Sequence, residues 1–167
     1  MNFLKTCATT TAPRAVILIR LLVGWVFLAE GIGKFVYPAE QAAGRFAQIP
    51  AIPAPQVMGP FVAGVEVVFG ALLLLGLLTR VAALVLLMEI SVAIVTTKFP
   101  ILAGHHYGMP ALKHYGLWGM LHESRTDFSM WLGALFLVIV GAGGWSLDAL
   151  LFRRGERAAQ RGSTRAD

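Results

Sequence analysis

Four long apolar runs alternate with shorter polar stretches along the chain. The first extends from 14 to 36, the second from 57 to 78, the third from 81 to 97 and the fourth from 128 to 145. A hydrocarbon core of about 30 Å needs roughly 20 helical residues at 1.5 Å each. Each run is therefore read as a membrane-spanning helix, and together they predict an all-α antiparallel four-helix bundle. Between the first two spans, Pro38 starts a short interfacial helix through about Gln48. The Ile-Pro-Ala-Ile-Pro-Ala-Pro segment that follows cannot be helical, because proline removes amide donors and restricts its predecessor. Thr79–Arg80 makes a tight turn. Residues 99–127 read as a long loop carrying all four histidines, and Ser146 caps a last short helix. Residues 1–13 form a mobile polar N-terminus, 14–152 the membrane domain and 153–167 a basic tail.

Composition supports this partition. Of 167 residues 57% are hydrophobic and 14% charged, against roughly 25% charged in soluble domains. The net charge of +5 does not point to nucleic acid, because five arginines (Arg153, Arg154, Arg157, Arg161 and Arg165) directly follow the fourth apolar run. Basic residues in that position hold a membrane end in the cytoplasm. With Lys5, Arg14 and Arg80 on the same side, both termini are expected to be cytoplasmic. The first span is read as uncleaved, because Glu30 and Lys34 occupy the place of a small-residue cleavage site. Cys7 is the single cysteine, so no internal disulfide or dithiol pair can form.

Ionisable side chains inside spans are costly and normally face the bundle interior. Arg20, Gly24, Phe27, Gly31 and Lys34 recur at helical spacing on one stripe of the first span. Glu30 precedes Lys34 by four residues, the favourable order for a helical ion pair. Glu66 shares a stripe with Gly59, Ala63 and Gly70, and Glu89 aligns with Ala82, Leu86, Ala93 and Thr96. The charges thus coincide with small-residue packing faces. Arg20 is long enough to reach toward either midplane glutamate, whereas Lys34 is expected to snorkel to the nearer surface. Three acids face two bases, which leaves a midplane carboxyl without a full partner. Glu66 and Glu89 are the candidates for proton exchange, and Arg20, Glu30 and Lys34 for ligand contact. The competing reading of the same charges is a register lock made of buried pairs.

In the histidine-bearing loop, Gly-His-His-Tyr-Gly at 104–108 makes His105 and His106 candidate contacts for a ligand headgroup. Their spacing, with that of His114 and His122, matches no standard metal pattern, and no metal site is expected.

The stretch from Arg20 to Phe35 (RLLVGWVFLAEGIGKF) resembles the first helix of the DoxX family. Gly64-Val65-Glu66, Gly70 and the 75–80 stretch (LGLLTR) agree with it, as do His122-Glu123 and 125–128 (RTDF). The resemblance implies a small bacterial inner-membrane protein with four spans, related to the membrane subunit of thiosulfate:quinone oxidoreductase. It extends the expectation to a quinone-linked, redox-associated membrane subunit that binds quinone in an intramembrane polar pocket. A partner protein would then supply the redox centre. A membrane scaffold for soluble redox enzymes and a small-solute or proton transporter are the alternatives. A homo-oligomer in the bilayer is compatible with each.

Overall fold

Helix α1 (Val16–Val36) and helix α4 (Pro55–Leu75) are each 21 residues long, about 31 Å of helix and a match for a bilayer core. Residues 12–105 and 116–151 of the computed structural model are described here, and over them the chain is helical without a strand. Between α1 and α4 lie two one-turn helices, α2 (Pro38–Gln41) and α3 (Ala43–Phe46). Helix α5 (Thr79–Ala93) follows, then a π-type turn at Ile94–Lys98 and a 3-10 turn at Phe99–Ala103. Helix α6 (Gly116–Val140) completes the bundle.

Among the described residues, three segments are long and apolar enough to cross a membrane: Val16–Val36, Pro55–Leu75 and Thr79–Ala103. Helix α6 is 25 residues long but begins with a charged turn containing Glu123, Arg125 and Asp127. Its apolar remainder packs on α5 and α1. Large apolar side chains such as Leu18, Trp25, Phe61, Val92 and Ile139 point outward, as a lipid-facing surface requires.

The tightest helix pair is α1 on α4, and glycine makes it possible. A Cβ on Gly24 would lie 2.9 Å from the Gly70 carbonyl oxygen, and one on Gly31 would lie 2.8 Å from that of Ala63. Any larger residue would force the backbones apart. The end of α4 is set by Gly76, whose φ of 68° is left-handed. Its N–H donates to Leu73 O, and that of Leu77 to Leu72 O, so the chain reverses directly into α5.

Several boundaries differ from the sequence reading. The third span, expected over 81–97, starts at Thr79 and loses regular α geometry after Ala93. The hydroxyls of Thr96 and Thr97 donate back to Val92 O (2.8 Å) and Ala93 O (2.6 Å), and Pro100 has no N–H to continue the ladder. Helix α6 begins at Gly116, inside the expected 99–127 loop. It stops at Val140, because Gly141 and Gly143 both have positive φ. The interfacial helix expected over 38–48 is broken at Ala42, whose φ and ψ are −124° and −110°. The cap at Ser146 is present: its Oγ accepts the Ala149 N–H at 3.1 Å, and residues 147–151 are helical.

The two ends of the bundle are built differently. At the end holding the Gly76 turn, Val23, Leu73, Leu86, Ala134 and Leu137 are fully buried and pack solidly. Toward the other end the helices leave a large cavity, covered by residues of the 39–53 connection.

Candidate functional site

The stripe that carries Gly31 on α1 brings Lys34 opposite Glu66 of α4, and the two form a bidentate ion pair. Lys34 Nζ donates to Glu66 Oε1 at 2.8 Å and to Oε2 at 2.7 Å. The side chains are only 11% and 5% exposed, so Lys34 does not snorkel. Glu66 is itself buried, and its charge draws the flexible lysine stem inward. Glu30, four residues earlier, is 3.8 Å from Lys34 Nζ and remains 60% exposed.

Glu89 of α5 faces the same cavity from the other side. Its Oε2 is buried and has no hydrogen-bond partner among the described residues. A buried polar oxygen without a donor is costly, and the nearby threonine hydroxyls do not relieve it. The hydroxyls of Thr96 and Thr97 are turned back onto their own helix. Lys98, at the end of the π-type turn, is held by Asp127 of α6 at 3.3 Å, and the pair is largely buried. Ser91 of α5 accepts a 3.0 Å hydrogen bond from the Trp131 indole, which helps fix α6 against α5.

These groups surround a cavity of about 1040 Å³ bounded by α1, α4, α5 and α6. Its walls are mostly apolar, including Val62, Val65, Val85 and Met130. Its inner end rests on Phe27 and Ile90, beyond which the solid core begins. Nine ionisable side chains, six acidic and three basic, line the cavity beside those apolar walls, and apolar walls with convergent polar groups are the usual form of a small-molecule site.

Arg20 takes no part in it. Its Nε donates to Leu73 O (3.0 Å) and its Nη1 to Ala142 O (2.8 Å) and Trp145 O (2.7 Å), while Nη2 reaches Leu74 O at 3.2 Å. The expected reach toward Glu66 or Glu89 is thus replaced by four backbone carbonyls. Arginine has five donors in a planar fork, and here they satisfy the end of α4 and the 142–145 segment together. Asp148 works beside it: its carboxylate accepts the N–H groups of Leu78 (2.8 Å) and Thr79 (3.0 Å), capping α5 from 69 residues away. His105 is exposed and away from the cavity lining. His106 lies outside the described residues, as do Cys7 and the arginine tail.

The structure therefore brings Glu30, Lys34, Glu66 and Glu89 together and sends Arg20 elsewhere. Sequence reasoning missed the Lys98–Asp127 pair and the role of Asp148. Lys98 was the available signal, since a lysine at a span end opposite the charged 122–127 stretch needs a counter-ion.

The fold and site define a class: a polytopic helical membrane protein with an ionisable cavity in one half of its bundle. The DoxX family model matches residues 15–98, and this chain belongs to the DoxX family. It is 51% identical over 143 residues to the uncharacterized membrane protein Rv3486 of Mycobacterium tuberculosis, covering 85% of this chain and 84% of the relative. No solved structure matches it.

Proposed function

We propose that this chain is a quinone-binding membrane subunit of a redox system, with the cavity receiving the quinone ring. The observation that carries the reading is the buried Glu89 Oε2, which lacks a donor beside a largely apolar chamber of about 1040 Å³. Flat apolar rings need such walls, and ring oxygens need a small number of placed polar groups. Lys34, already held by Glu66, and Glu89 are the groups placed to meet those oxygens. Glu89 is also the candidate for proton exchange with the ring. The chain's single cysteine gives it no dithiol, so we assign electron delivery to a partner protein. The chamber ends on Phe27 and Ile90 above a solid core, a dead end that suits binding better than passage of a solute.

The same reading takes the protein to sit in a bacterial inner membrane, on the strength of its bacterial relative, with both termini cytoplasmic on the strength of Lys5, Arg14, Arg80 and the C-terminal arginines. The cavity then lies in the outer half of the bundle, beneath the 39–53 connection.

Extraction of the protein from native membrane in polymer-bounded lipid discs tests this. Wild-type discs are expected to retain quinone at about one per chain above the bulk-lipid level. Val62→Trp, which fills the cavity from α4, is expected to lose it. No excess quinone in the wild type, or full retention in the variant, contradicts the proposal.

A further inference from the structure

Glycines 24, 31 and 70 each meet a neighbouring helix within about 3 Å of where a Cβ would be, whereas a Cβ on Gly64 would meet nothing within 4 Å. Glycine in a helix interior is destabilising relative to alanine. Gly64 thus carries that cost without providing close packing inside the chain. It forms part of an apolar groove of about 370 Å³ on the outer face of α4, bordered by Phe61, Val65, Val68 and Phe69. Two of those residues, Phe61 and Val65, also line the large cavity. Across from them on α5 are Val85 and Val92, which line the cavity as well. Phe61 and Val92 are both 61% exposed on the lipid-facing surface. Lipid-facing residues of α4 and α5 thus stand at the edge of the chamber, and Phe61 and Val65 form a wall common to chamber and groove.

We infer that the cavity's ligand carries a hydrocarbon tail that leaves between α4 and α5 past Phe61 and lies in the groove at Gly64. This rests on the proposed quinone reading and adds a tail subsite to it. The shared wall at Phe61 and Val65, which sets the groove directly beside the cavity, favours the tail over an unrelated lipid chain or a second copy of the protein. Entry from the bilayer also spares the ligand a passage through the covered, charged end of the chamber.

The test compares two probes on the full chain in lipid discs, decylubiquinone and the same benzoquinone ring carrying no tail. Binding is measured for wild type and for Gly64→Leu, which fills the groove. Because nothing abuts Gly64, the substitution leaves the fold intact, and Gly64→Ala serves as a milder control. Gly64→Leu is expected to weaken decylubiquinone binding about ten-fold, the size of an overpacking penalty. Binding of the tail-less ring is expected to stay within about two-fold, since its contacts are untouched. Unchanged decylubiquinone binding, or equal loss for both probes, overturns the tail subsite. So does a change in oligomeric state without a change in tailed-probe affinity, which would assign the groove to a second copy. Failure of both probes to bind wild type overturns the quinone reading itself.

Discussion

At the scale of single residues, two buried cations do different work. Lys34 neutralises Glu66 through a bidentate contact, so removing one partner leaves an uncompensated charge in a low-dielectric site. Lys34→Met is expected to destabilise the bundle by about 3–5 kcal/mol, and Lys34→Met combined with Glu66→Met to recover most of that loss. Thermal unfolding in detergent, monitored by circular dichroism, checks the order: the double variant should melt above the single one. Arg20 instead holds four carbonyls of two segments. Each charge-assisted bond contributes about 1.5–3 kcal/mol, so Arg20→Met is expected to lower the melting temperature strongly. Arg20→Lys, with a single point of donation, should fall between. A melting temperature for Arg20→Lys equal to wild type would show that the fork geometry is not needed. The sequence announced that both cations are intramembrane and on one stripe, but it did not reveal their partners. Arg20 was a candidate for a carboxylate because the alternative acceptors, the carbonyls at 142 and 145, come from the far end of the chain. Lys34 was expected to snorkel because sequence depth alone does not say that Glu66 lies opposite it.

At the scale of elements, glycine placement decides which helices touch. Gly31→Val would press a β-branched side chain against Ala63 O and Glu66 Cβ, both under 3 Å from the Cβ position. It should loosen the α1–α4 pair and with it the Lys34–Glu66 contact. Gly64→Ala, with open space around it, should be neutral or slightly stabilising, since alanine is the better helix former. Unfolding of both variants under one set of conditions tests the contrast. The apolar periodicity made α1 and α4 legible to within two or three residues at each end. Helix α6 was not, because its first three turns carry Gly119, His122, Glu123, Arg125 and Asp127 and read as loop. Pairing of Asp127 with Lys98 supplies the tertiary support that lets a charged stretch enter a helix. The end of α5 was illegible for a related reason, since hydroxyl back-bonding by Thr96 and Thr97 overrides the regular ladder locally.

At the scale of the whole molecule, one end of the bundle is a solid core tied by Arg20 and Asp148, and the other holds an ionisable cavity. The sequence anticipated a seam between the first three spans where charges and small residues coincide. It could not give the cavity, whose volume depends on how α4 and α5 sit after the Gly76 turn and on the cover from residues 39–53. Orientation has its own check: Cys7 should react with a membrane-impermeant maleimide only after the membrane is opened, and Ala51→Cys should react in intact cells. The reverse pattern would invert the assigned topology. The central claim is that the ring of a quinone occupies the cavity beside Glu89, and photolabelling with an azido-quinone in native lipid tests it most directly. The account predicts labels, mapped by mass spectrometry, on residues 58–66 and 85–93, with loss of labelling in Val62→Trp. Labels confined to other segments, or labelling that Val62→Trp leaves unchanged, would contradict it.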